Sequence, residues 1–141
     1  MKVSEVMTAQ VATAKPTTSV KEVARMMSEI DTGVIPISED GKVLGVVTDR
    51  DIVVRVVASG GSFDAAASEV MSEDVQSCRE DDNLADATAK MGAQQVRRLV
   101  VLNEAGRLTG ILSLGDVAMD YGAKAVGRTL EEISAEPASP T

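Results

Sequence analysis

Ser4-Glu5-Val6-Met7 recurs as Ser68-Glu69-Val70-Met71, 64 residues further along the chain. At the same offset Val20 answers to Leu84, Val23 to Ala87 and Met27 to Met91. After one extra residue in the second copy, Gly41, Gly45, Thr48 and Asp51 answer to Gly106, Gly110, Ser113 and Asp116. A single insertion across the whole aligned stretch marks an internal duplication. The copies run from Val3 to Ala58 and from Ala67 to Ala123, with 59–66 as a linker and 124–141 as a tail. A unit of about 55 residues buries too little surface to be stable alone, so the two copies are expected to share a core, sheet packed on sheet.

Each copy reads as a βαββα unit, which makes the chain an α+β protein. In the first, Val11 to Ala14 suits a short strand. Ser19 with Glu22 three residues later forms a capping box, and Val20, Val23, Ala24, Met27 and Ile30 fall on one helical face. Gly33 is expected to end that region before a strand at Val34-Ile35-Pro36-Ile37. Glu39-Asp40-Gly41-Lys42 is a hairpin turn, Val43 to Val47 the return strand, and Asp49 to Ala58 a closing helix. The second copy gives strands at Arg98 to Leu102 and Leu108 to Leu112, with the turn at Asn103 to Gly106. The tail is read as one further amphipathic turn around Val126, Leu130 and Ile133.

Composition narrows the function. Hydrophobic residues make up 44% and charged residues 26%, as in a globular chain, but Phe63 and Tyr121 are the sole aromatics. The core must be aliphatic, and Met26, Met27, Met91 and Met119 are expected to fill it. The stacking platforms of single-strand nucleic-acid binders are missing. A net charge of −8, from 14 basic and 22 acidic residues, lacks the basic excess a duplex binder needs. Without histidine, and with Cys78 alone, the usual zinc sets and Ser-His or Cys-His nucleophiles are unavailable. No metal site, catalytic residue or required cofactor is therefore assigned. Cys78 is expected in a buried strand, and Glu80-Asp81-Asp82 to complement the dipole of the helix after Asn83. The start shows no signal-peptide pattern and no window reaches membrane-span length, so a cytoplasmic protein is expected.

The chemistry concentrates where each hairpin ends, in Gly45-Val46-Val47-Thr48-Asp49-Arg50-Asp51 and Gly110-Ile111-Leu112-Ser113-Leu114-Gly115-Asp116. The simplest role of Thr48 and Ser113 is to cap the following helix. The same groups also suit a ligand: free N–H groups favour an anion, an Asp carboxylate can accept from a ribose diol, and Gly leaves room for a flat base. Arg50 is the first-copy phosphate candidate. Arg97 and Arg98 begin a strand, so alternation is expected to send at most one of them into a given cleft.

The duplicated unit, its Met-Thr or Met-Ser opening and its Gly-x-x-[Thr/Ser]-x-x-Asp ending resemble a tandem pair of cystathionine-β-synthase (CBS) domains. The resemblance implies a pseudo-two-fold module with two clefts that takes AMP, ADP, ATP or S-adenosylmethionine as a regulatory ligand and forms a homodimer. Carried over by position, Ser113 and Asp116 would meet Val11, Ala12, Thr13, Gly33 and Val34. Thr48 and Asp51 would meet Val75, Gln76, Ser77, Arg97 and Arg98, and Ile111 is counted with the ligand-binding residues. Asp49 departs from the pattern, because it would repel a phosphate unless Arg50 compensates; Val100 stands where the first copy has Pro36. The implied protein is not an enzyme, and an unidentified regulated protein is a possible partner. The competing expectation is a ligand-independent dimerisation or protein-interaction module with vestigial clefts.

Overall fold

The computed structural model describes residues 1–9, 12–120 and 130–134. The chain forms two compact units, one of residues 11–75 and one of residues 1–10 with 76–141. These units cut across the sequence repeats. The opening segment of the first repeat folds with the second repeat, and residues 67–75 fold with the first.

In the unit of residues 11–75, helix α1 (Val20–Ile30) starts at Ser19, whose Oγ accepts a hydrogen bond from Glu22 N at 3.1 Å. Val20, Val23 and Met27 are buried, but Ile30, expected on the same face, is exposed. The helix ends earlier than Gly33 because Asp31 takes the left-handed conformation, φ 53°, as Asp tolerates better than most side chains. Strands β2 (Val34–Glu39) and β3 (Lys42–Thr48) form a hairpin around Asp40 and Gly41, with φ of 53° and 81°. Two positive φ values give the turn whose twist matches its strands. The expected strand at 11–14 contracts to a bridge, Ala14 lying parallel to Ile37. The closing helix begins as α2 (Asp49–Ile52) and widens into a π-helical stretch, Val53–Val57. Segment 59–66 lies along the start of α1, where Ala65 O accepts from Val20 N and Phe63 O from Lys21 N.

In the other unit, β1 (Thr8–Ala9), β4 (Ser77–Arg79), β5 (Arg98–Leu102) and β6 (Leu108–Ser113) form a sheet in the order β1-β6-β5-β4. Helix α4 (Leu84–Gln94) is capped by Asn83 and ends at Gln95, φ 56°, and α5 (Leu114–Asp120) follows β6. The extra residue of the second repeat lies in the β5–β6 turn, where Asn103 Oδ1 accepts from Arg107 N. Residues 130–134 are helical, and Ile133 joins the core while Gln95 Nε2 donates to Glu132 O. Val126 lies outside the described residues.

Within the two units the buried apolar residues gather in two clusters, one in each. One gathers Leu84, Ala87, Met91, Leu99, Val101 and Leu112 with Val3 and Val6 of the opening segment. The other gathers Val20, Val23, Ile35, Ile37 and Val47 with Ala67 and Val70 of α3 (Ala67–Val70). Each core is completed by the opening residues of the other repeat, so neither repeat closes a core alone. Met27 and Met91 are buried as expected; Met119 is not, being 86% exposed.

That exchange depends on two glycines. Val46 and Ser72 exchange backbone hydrogen bonds at 3.0 and 2.8 Å, and Thr8 and Ala9 pair with Ile111 and Gly110. A Cβ at Gly45 would lie 2.6 Å from Ser72 O, and one at Gly110 would lie 2.7 Å from both Thr8 O and Met7 Sδ. The space expected to admit a flat base is filled by the incoming Met-Ser and Met-Thr segments.

Two outcomes follow from this packing. Gly110→Ala should destabilise the fold by roughly 1–3 kcal/mol in urea unfolding, since a backbone carbonyl must move. Gly115→Ala, whose Cβ would meet nothing closer than 3.8 Å, should leave stability unchanged or raise it by up to about 0.5–1 kcal/mol. Equal effects would contradict the close approach. Cys78 in β4 is buried, and its thiol is pushed from 9.0 up to about 11 by burial, with Asp82 adding to the shift and Lys90 opposing it. Between those values the folded chain keeps a proton that the unfolded chain has lost, so stability should fall as pH rises through that window. Cys78→Ala should flatten the fall, and native Cys78 should react with iodoacetamide at pH 8 far more slowly than in denaturant.

Candidate functional site

At the end of β3, Thr48 Oγ1 accepts from Asp51 N at 3.1 Å while Asp51 Oδ2 accepts from Thr48 N at 2.9 Å. At the end of β6, Ser113 Oγ accepts from Asp116 N at 3.1 Å and Asp116 Oδ2 from Ser113 N at 3.4 Å. Both pairs are reciprocal caps, so the hydroxyl and carboxylate are held next to each other by the chain turn itself.

The two carboxylates differ in their remaining partners. Asp51 Oδ1 lies 3.8 Å from Arg55 Nε, and Arg55 Nη1 also donates to the carbonyls of Val70 and Met71 at 3.2 and 3.1 Å. In the second repeat the residue at Arg55's position is Asp120, and among the described residues Asp116 has no ion pair. Its outer contact is Thr8, whose Oγ1 donates to Asp116 Oδ2 at 3.4 Å. Thr8 and Arg55 did not emerge as site residues from the sequence. Thr8 sits in the repeated Met-Thr opening and Arg55 four residues after Asp51, one helical turn, which is the signal each offered.

Beside Ser113 lies an open hollow of about 390 Å³ lined by Arg97, Arg98, Ser113, Leu114, Gly115 and Leu130. Arg98 faces Ser113 across the β5–β6 ladder, and Arg97 O accepts from Leu114 N at 2.9 Å. Both arginines border this hollow; β5 begins at Arg98, and Arg97 stands just before the pleated run. Both are exposed, and neither guanidinium has a hydrogen-bond or ion-pair partner among the described residues. Leu130 comes from beyond the second repeat, and no sequence pattern tied it to this place.

The corresponding corner of the other unit is built from Gly33, Val34, Thr48, Asp49 and Arg50. Val34 pairs with Thr48, and Gly33 O accepts from Asp49 N at 2.9 Å. A Cβ on Gly33 would lie 3.0 Å from Asp49 Oδ2, so the acid lies against the position that answers to the start of the Arg97 side chain in the second repeat. Arg50 is exposed.

Ser77, Arg97, Arg98, Ile111, Ser113 and Asp116 thus belong to one unit, and Ala12, Thr13, Gly33, Val34, Thr48, Arg50, Asp51 and Val75 to the other. Ser77 opens β4 opposite Val100, and Ile111 is buried between Thr8 and Val100. Ala12 and Thr13 lead into the Ala14 bridge, and Val75 is half-buried. Val11 lies outside the described residues. Among the described residues no three Cys, Asp or Glu side chains gather as metal ligands would, and no helix is long and apolar enough to cross a membrane.

Known proteins carry the same organisation. The CBS domain family matches residues 3–58 and 67–121. CBS domain-containing protein YhcV of Bacillus subtilis (strain 168) is 38% identical over 133 residues, spanning 94% of each chain. The crystal structure of Hypoxic Response Protein I, with two coordinated zinc ions, superposes with a TM-score of 0.76 at 30% identity, covering 85% of this chain and 98% of that one. CBS domain protein PAE2072 from Pyrobaculum aerophilum, complexed with AMP, gives a TM-score of 0.78 at 25% identity over 96% of this chain and all of that one. The duplicated α+β chain belongs to the CBS domain family and carries its domains as a tandem pair.

Proposed function

We propose that this chain is a non-enzymatic regulatory module that binds an adenine nucleotide, or S-adenosylmethionine, at its strand ends and signals through conformational change in a homodimer. The observation that carries the reading is the pair of unpartnered guanidiniums, Arg97 and Arg98, beside the Ser113–Asp116 cap. Two exposed cations with no internal partner suit the phosphate of a ligand. Asp116, free of an ion pair among the described residues, suits the ribose diol, and Ser113 an adjoining oxygen. The AMP complex of the Pyrobaculum relative supports the choice of ligand class. No metal or cofactor is needed, since the ligand is itself the signal.

One further observation favours association. Val53, Val54 and Val57 are 58%, 49% and 59% exposed along the first closing helix, and Met119, at the position of Val54, is exposed on the second. Apolar residues clustered on corresponding surfaces suit burial against another copy. A ligand-independent dimerisation module would use these surfaces alone.

Thermal unfolding separates the two readings, because a ligand bound only by the folded chain raises Tm. AMP, ADP, ATP or S-adenosylmethionine should raise it, and Asp116→Ala should cost roughly 1.5–3 kcal/mol of binding, about ten- to a hundredfold in affinity by calorimetry. A 2′-deoxy nucleotide should suffer similarly. An unmoved Tm with all four ligands would favour the ligand-independent module, and unchanged affinity in the Asp116 variant would overturn the ribose assignment.

A further inference from the structure

The two strand ends share a backbone and differ in charge at matching positions. Where the second repeat has Arg97, Arg98 and Leu114, the first has Gly33, Val34 and Asp49. The substitution is spatial as well as sequential. Leu114 N donates to Arg97 O, and Asp49 N donates to Gly33 O, both at 2.9 Å, so the local backbone is the same. The Asp49 carboxylate nevertheless sits 3.0 Å from where a Gly33 Cβ would be. Gly33 has no positive φ that would require glycine, so what a side chain there meets is the acid and not backbone strain. Arg50, next in sequence, brings this turn to charge balance, against two guanidiniums in the second repeat.

We infer that Asp49, seated over Gly33, is the specificity-determining residue that closes the first-repeat strand end to phosphate, confining phosphate-bearing nucleotides to the Arg97–Arg98 end. The inference rests on the nucleotide-binding reading above. A phosphate carrying close to two negative charges would approach Asp49 well inside the ~8–10 Å over which salt screens exposed charges. At the other end it meets two cations. A ligand with ribose but no phosphate meets neither penalty nor gain, so Asp49 sorts ligands by their charge and not by their base.

The test is calorimetry with ATP on the full chain, with thermal unfolding to verify that each variant is folded. Wild type should bind one ATP per chain. Gly33→Arg combined with Asp49→Leu, which transplants the second repeat's residues, should bind two. Asp49→Asn keeps the shape without the charge and should let a second, weaker ATP bind, with adenosine affinity unchanged. Arg97→Gly should weaken ATP at least tenfold and adenosine little. Two ATP per wild-type chain, or a folded Gly33→Arg/Asp49→Leu variant that still binds one, would overturn the inference while leaving nucleotide binding intact. Wild type that binds neither ATP nor adenosine would overturn the binding reading itself, and the inference with it.

Discussion

The structure depends on the approach of one backbone to another across a missing side chain. At Gly45 and Gly110 the absent Cβ lets Met71-Ser72 and Met7-Thr8 lie against strands β3 and β6. Each approach adds a strand edge and delivers apolar residues, Ala67 and Val70 to one core, Val3 and Val6 to the other. It also dresses the site. Thr8 arrives within reach of Asp116, while the carbonyls of Val70 and Met71 arrive to hold Arg55 against Asp51. Stability and site chemistry therefore share one cause, and the Met-[Thr/Ser] opening and the Gly-x-x-[Thr/Ser]-x-x-Asp ending are two halves of a single contact.

Much of the fold was legible because its signals are local. The capping of α1 by Ser19, the Asp40-Gly41 turn and the strands flanking it follow from short-range geometry and stand close to their expected limits. The duplication was legible from spacing alone. What escaped was non-local. Nothing in the repeat pattern says that residues 1–10 fold with the second repeat, because an exchanged segment and an unexchanged one leave the same periodicity. Asp31 displaced Gly33 as the helix end for a similar reason: either residue can take a left-handed turn, and the surrounding packing chooses.

The candidate site divides in the same manner. The Thr48–Asp51 and Ser113–Asp116 pairs were legible because a cap is a three-residue motif. That Arg97 and Arg98 border one hollow was less legible, since alternation applies inside a strand and Arg97 stands just before it. Leu130 reaches the hollow from outside the repeats through the anchoring of Ile133, a tertiary event with no local signature. The duplication thus yields two ends with one scaffold and unequal charge: cationic and unpaired near Ser113, acidic and internally balanced near Thr48.

The central claim is that the Arg97–Arg98 corner receives the phosphate of a bound nucleotide while Asp116 receives its ribose. A crystal structure of the chain grown with ATP tests it most directly. The account expects phosphate density against the two guanidiniums, beside Ser113, with the ribose hydroxyls on Asp116. Phosphate density against Gly33 and Asp49, or an ATP-saturated crystal with the Arg97–Arg98 hollow holding only solvent, would contradict it.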